Sequence, residues 1–168
     1  SLLQRDVRLS LDASALVNPI LPLIKGKNVV VTPHAGEFYR LFGEDLPQDE
    51  KSKLTFAEKI AKKYSITLLL KGKTDIITDG ERLFKFPKSD TCAMTVGGTG
   101  DVLSGIVSGL LSRNRNSLES AAAAAYLNGI AGKFVQDKIG IHMLATDLID
   151  ALPYVFKPFD KIKWLEIK

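Results

Sequence analysis

The sequence predicts an α/β domain with a largely parallel sheet flanked by helices, and three observations predict it. Short β-branched runs alternate with stretches of helical periodicity through the first half of the chain. A glycine-rich turn, Gly97-Gly98-Thr99-Gly100, runs directly into an apolar helical pattern at Val102, Leu103, Ile106, Val107, Leu110 and Leu111. Long helical patterns then follow one another towards the end of the chain, as they do when a sheet needs covering.

The elements read in order. Val7 to Asp12 alternates apolar and polar residues and predicts a strand ending in an acid. Ala15 to Ile24 predicts a short helix or two turns, since Pro19 and Pro22 interrupt it. Asn28 to Thr32 is a β-branched strand broken by Pro33-His34-Ala35-Gly36, after which Glu37 to Phe42 continues as a helical turn. Asp49 to Tyr64 carries apolar residues at helical spacing, and Ile66 to Leu70 is a buried-type strand. Asp75 to Thr78 and Arg82 to Phe86 predict a hairpin turning at Asp79-Gly80. Beyond the glycine turn, helices are expected over Leu118 to Lys138 and Met143 to Phe156, with Lys157 to Lys168 as a strand-like tail or extended arm.

Length and composition narrow the class. At 168 residues the chain is read as one domain over 1–168, long enough for a full core. Hydrophobic content of 45% and charged content of 25% are those of a soluble globular protein. The net charge of +4 is modest, and Lys59, Lys62 and Lys63 read as a solvated helix face, so no nucleic-acid partner is expected. No apolar stretch reaches transmembrane length, so no membrane role is expected. A single cysteine, Cys92, excludes an internal disulfide and fits a reducing, cytoplasmic setting.

Three groups fall where open α/β sheets place ligands. At the glycine turn, backbone can approach a ligand closely, and the helix start behind it offers unpaired amides to an anion, most often a phosphate. Asp101 follows at once. A carboxylate beside a phosphate makes sense as a base, or as a group holding a metal or a hydroxyl; otherwise it is a first-turn helix acid. His34 lies on a loop at a strand's carboxyl end, either solvated or functional, whereas His142 is read as structural. Gly72-Lys73-Thr74 imitates the end of a P-loop, but position 67 is threonine and the segment continues as strand. What remains is Lys71 at a strand end, facing a nucleotide or lying on a hairpin edge.

Taken in order, these motifs resemble those of the ADP- or ATP-dependent NAD(P)H-hydrate dehydratases, enzymes of ribokinase-like fold. The matching strings are Thr32 to Leu41, Leu69 to Ile77, Met94 to Gly105 and Ala145 to Ile149. The glycine-aspartate motif is shared across ribokinase-like kinases, while Thr32-Pro33-His34-Ala35-Gly36-Glu37 points to the dehydratases. The resemblance implies repair of NADHX and NADPHX, hydrated and redox-dead forms of NADH and NADPH. A nucleotide's terminal phosphate would pass to the ring hydroxyl, and elimination would restore NAD(P)H. It implies Asp101 as the catalytic acid-base group that contacts substrate, with Gly98, Thr99 and Gly100 stabilising the transferred phosphoryl group. It implies His34 against the hydrated nicotinamide nucleotide, and Lys71, Gly72, Lys73, Thr74, Asp75 and Gly100 around ADP or ATP. Mg2+ is implied by the chemistry, with no ligand set visible.

The chain departs from the family's pattern in three places. Asp90-Thr91-Cys92-Ala93-Met94 stands where the family reads Gly-Asn-x-Gly-Met. Asp12-Ala13-Ser14-Ala15-Leu16 carries serine in place of the family's second acid. Family members also carry a further N-terminal portion, including early strands and part of the substrate site, so an open sheet edge is expected near residues 7–12. Homo-oligomerisation, or that N-terminal segment supplied in trans, is the expected partner. Two alternatives stand beside the dehydratase: a ribokinase-like small-molecule kinase, and a truncated adenine-nucleotide-binding domain that needs a partner.

Overall fold

The computed structural model describes residues 7–88, 92–113 and 116–160. Its centre is a five-stranded sheet in sequential order: β1 (Leu9–Leu11), β2 (Val29–Val31), β3 (Thr67–Leu70), β4 (Thr74–Thr78) and β5 (Leu83–Pro87). The first three strands run parallel, and β4 and β5 return antiparallel as the predicted hairpin. The sheet is therefore mixed. At the hairpin turn the Asp79 carboxylate accepts from the amides of Glu81 and Arg82, and Gly80 takes a left-handed φ of 92°.

Alternation along β2 and β3 divides the core into two layers. Val29, Val31, Leu68 and Leu70 face α1 (Leu21–Ile24), α2 (Ala35–Phe42) and α3 (Glu50–Tyr64), where Phe38, Leu41 and Ile60 are fully enclosed. Val30, Leu69 and Ile77 face α4 (Thr99–Arg113), α5 (Ser117–Ile139) and α6 (Ala145–Phe156). The alanines of α5 at 121, 122, 124 and 125 are buried, and their small side chains let this helix pack closely between α4, α6 and the sheet.

Local chemistry accounts for the boundaries. The Asp49 carboxylate accepts from the Ser52 amide to start α3, and the Asn116 side chain accepts from the Glu119 amide to start α5. Gly43 ends α2 in the left-handed conformation that suits glycine. Residues 13–24 form three pieces rather than one helix, two 3-10 turns and α1, as the two prolines dictate. At the other end Lys157–Phe159 is a 3-10 turn rather than a strand, and 161–168 lie outside the described residues. Asp90 and Thr91 of the divergent loop also lie outside them. Among the described residues no helix is long and apolar enough to cross a membrane.

Candidate functional site

The parallel strands end together, and each end delivers a charged or polar side chain to one crevice. Asp12 follows β1, Thr32-Pro33-His34 follows β2, and Lys71 follows β3. Lys71 is held there by its own amide, which donates to the Pro33 carbonyl at 2.8 Å. Its ammonium lies 2.7 Å from Asp12 Oδ1 and 3.3 Å from Glu37 Oε2, and all three side chains are largely buried.

Glu37 reaches the crevice because His34 caps α2. The His34 Nδ1 accepts from the Glu37 amide at 3.2 Å, and the His34 amide donates to Glu37 Oε2 at 2.9 Å. An accepting Nδ1 leaves the proton of a neutral imidazole on Nε2. That nitrogen is 3.5 Å from Glu37 Oε1, and 60% of the His34 side chain is open to solvent. His34 is thus an ordered helix cap with an exposed ring rather than a free loop residue. A side chain at Gly36 would press on the ring, because its Cβ would stand 3.2 Å from His34 Cε1.

The glycine turn closes the other side of the crevice. Gly98 has φ 91°, a conformation L side chains rarely adopt, and an added Cβ would stand 2.9 Å from the Ala145 methyl at the start of α6. Thr99 turns its hydroxyl back to the carbonyls of Met94 and Val96 and so pins the turn. Its side chain faces the protein and its own amide donates to the Val96 carbonyl at 3.4 Å, so Gly98 and Gly100 carry the amides that the turn can offer outward. A Cβ on Gly100 would lie 3.4 Å from Lys71 Nζ and 3.9 Å from Asp12 Oδ2. The start of α4, with its positive dipole end, and the Lys71 ammonium therefore bear on the same space. Asp101, in the first turn of α4, is exposed, and with Gly98 it lines a cleft between α4 and α6.

The predicted stretch Lys71 to Asp75 divides between two surroundings. Lys71 also borders a cleft of about 340 Å³ with Gly72, Lys73, Thr74, Gln48, Glu50 and Lys53. Asp75 is fully buried: its Oδ1 accepts from the Gly72 amide at 3.0 Å and lies 2.8 Å from Lys88 Nζ, while Oδ2 has no hydrogen-bond partner among the described residues. Burial pushes the Asp75 carboxyl above its ordinary range, against the opposing pull of Lys88 and the Gly72 amide. The geometry makes Asp75 the clasp of the β3–β4 turn. Sequence reading did not single out Asp12 or Glu37 as site residues. The signal available was the acid closing the first predicted strand, which only the parallel register of β1 with β2 brings beside Lys71.

Comparison with known proteins decides the family. The sequence model of the NAD(P)H-hydrate dehydratases matches residues 1–154. The chain belongs to the NAD(P)H-hydrate dehydratase family. It is 60% identical over 162 residues to the ADP-dependent (S)-NAD(P)H-hydrate dehydratase of Nitrosopumilus maritimus, covering 96% of this chain and 56% of that protein. The corresponding protein of Cenarchaeum symbiosum is 56% identical over 163 residues, covering 97% of this chain and 56% of the relative. The chain thus spans little more than half the length of these relatives. Among solved structures, the ADP/ATP-dependent NAD(P)H-hydrate dehydratase of Bacillus subtilis, co-crystallised with ATP and Mg2+, superposes with a TM-score of 0.82. That match has 31% identity and covers 94% of this chain and 57% of the other. The ribokinase-like fold expected for this family is the fold observed.

Proposed function

We propose that this chain carries the nucleotide half of an ADP- or ATP-dependent NAD(P)H-hydrate dehydratase. The observation that supports the reading best is the meeting of Lys71 with the first turn of α4 at Gly100, with Asp101 next in that turn. A terminal phosphate seated there would be met by an ammonium and by helix-start amides, both acting where negative charge spreads during phosphoryl transfer. Asp12 and Glu37 hold the ammonium in place.

In the proposed reaction the Asp101 carboxylate takes the proton of the ring hydroxyl as its oxygen bonds to the terminal phosphorus. The bond from that phosphorus to the bridging oxygen of the nucleotide breaks, releasing AMP from ADP or ADP from ATP. The ring C–O bond then breaks with loss of phosphate, a proton leaves the neighbouring ring carbon, and the double bond of NAD(P)H returns. The amides of Gly98 and Gly100 stabilise the transferring group, Thr99 fixes the turn that aims them, and the exposed His34 ring contacts the hydrated nicotinamide nucleotide. Lys71, Gly72, Lys73 and Thr74 border the adenine nucleotide, with Asp75 holding their turn.

Mg2+ fits this arrangement as an ion carried by the nucleotide. Among the described residues no cluster of three or more His, Cys, Asp or Glu is placed to hold a metal. Mg2+ asks for no such cage, since one or two carboxylates plus substrate phosphates suffice. The ion would neutralise charge on the phosphate oxygens, with the nucleotide supplying most of its contacts. Homo-oligomerisation, or the rest of the family fold in trans, would complete the substrate side.

The test is an assay of the purified chain with NADHX, Mg2+ and ADP or ATP, following the return of NADH absorbance. Turnover that disappears in Asp101→Asn supports the dehydratase. Phosphorylation of an unrelated small alcohol with no NADH formed would place the chain among the kinases of this fold instead.

A further inference from the structure

We infer that Arg40 is a positioning residue for the phosphate site: from the last turn of α2 it holds the strained turn that aims Asp12 at Lys71. The consequence for nucleotide rests on the reaction proposed above, whereas the positioning rests on geometry alone.

Among the described residues two non-glycine residues take a left-handed φ, Ala13 and Ser65, both at 51°. Ser65 closes α3, a place where that conformation is ordinary. Ala13 follows Asp12 directly, and an alanine held there costs free energy that the surrounding structure must offset. Asp12 itself is extended, with φ −139° and ψ 169°, and its carboxylate makes no capping bond to the turn that follows. The chain reverses at Ala13 into a 3-10 turn. That reversal leaves the Asp12 carboxylate in the crevice, 2.7 Å from the Lys71 ammonium.

One side chain takes two backbone carbonyls of the reversal. Arg40 Nε donates to the Leu16 carbonyl at 2.9 Å, and a terminal guanidinium nitrogen donates to the Ala13 carbonyl. A planar fork spanning both carbonyls fixes the turn as a single donor cannot. Leu16 is fully buried, so the fork ties Ala13 to an anchored point. Glu37 stands one turn before Arg40 on α2, and its carboxylate is the second partner of Lys71. One helix thus sets both acids, Glu37 directly and Asp12 through Arg40. Asn18 is a second tie between these segments, its amide donating to the Leu41 carbonyl at 3.1 Å, but it lies beyond the reversal.

Acylation of Lys71 by acetic anhydride, read by mass spectrometry against the other lysines of the same sample, reports the pairing without any nucleotide. An alanine released from the fork keeps its left-handed state only about one part in ten of the time. Arg40→Met should therefore label Lys71 faster and bind ADP about tenfold more weakly. Ala13→Gly alone should match the parent. Added to Arg40→Met, it should return labelling and ADP affinity most of the way, since glycine takes a left-handed φ freely. Asn18→Ala should loosen the same segments and lower the melting temperature without changing Lys71 labelling. If Arg40→Met does not fold, Arg40→Lys reads the effect at smaller size, because an ammonium has no fork. Parental labelling in the Arg40 variants, equal acceleration in Asn18→Ala, or a double variant no better than Arg40→Met would each overturn the proposal. A parent that binds no ADP would defeat the nucleotide reading instead, and the labelling would still decide the positioning.

Discussion

Asp12 and Lys71 are 59 positions apart in the chain and 2.7 Å apart in the fold. The pair closes the crevice at the carboxyl end of the sheet, and Glu37 completes it from a third element. With its partners about 10% exposed, removing the ammonium leaves two carboxylates facing each other with little water between them. Lys71→Met should therefore lower stability by about 3 kcal/mol, as for other buried pairs broken on one side. It should also weaken ADP binding at least tenfold. Paired urea denaturation and calorimetric titration would check both, and unchanged ADP affinity would remove Lys71 from the phosphate site.

Asp101 stands apart from this network, exposed and first in line after the glycine turn. A general base contributes about 10²–10⁴-fold to rate, so Asp101→Asn should lose that much turnover and leave nucleotide affinity within a few-fold. Undiminished turnover on NADHX would exclude Asp101 as the proton acceptor.

His34 has two separable jobs. Its Nδ1 caps α2, and the rest of its ring faces outward. Alanine removes both, with about 1 kcal/mol lost to the missing cap. Asparagine also caps helices well, so His34→Asn should recover the stability and still lack the imidazole. If the ring contacts substrate, His34→Asn will show parental stability with a raised KM for NADHX; a parental KM would leave capping as its role.

Most of the elements were legible because burial patterns and turn chemistry are local. Val29 to Val31 is buried on both faces and reads as a run, and Asp79-Gly80 announces the hairpin. Lys71 and Gly100 were each legible as site residues from strand end and glycine turn, but their meeting was not. Asp12 and Glu37 were visible as a strand-ending acid and as part of a family string but were not assigned to the site, because their role depends on strand register and on the cap that aims Glu37. Asp75 was legible as part of a ligand stretch, yet its depth and its bond to Gly72 come from a turn that no spacing reveals. Ala145 shows the same limit. Its string resembles the family's, but the reason for a small residue there is Gly98, visible only when α6 packs against the glycine turn.

That contact predicts a coupled effect. Gly98→Ala places a methyl 2.9 Å from the Ala145 methyl at a residue with φ 91°. The left-handed conformation alone costs a side chain about 1–2 kcal/mol, and the start of α6 must also give way. The variant should melt lower and bind ADP about tenfold or more weakly as the turn's amides move. Adding Ala145→Gly should restore part of the stability and not all of it, because it relieves the contact and leaves the backbone strain. Full restoration would show that crowding alone was responsible.

Asp75 yields a prediction with a definite sign. Its carboxyl is raised above the ordinary value of 3.8, because burial outweighs Lys88 and the Gly72 amide. The folded state therefore holds a proton that the unfolded state has already released, so stability falls as pH rises from the ordinary value through the folded one. Above that window the loss is complete and constant. Asp75→Asn keeps an oxygen for the Gly72 amide and carries no charge to bury, so its stability should lack this falling segment. Urea denaturation across the acidic range should show parent and variant alike below the ordinary value, with the variant the more stable at neutral pH. A parent more stable at neutral pH would mean that the 2.8 Å pairing with Lys88 outweighs the burial of the charge.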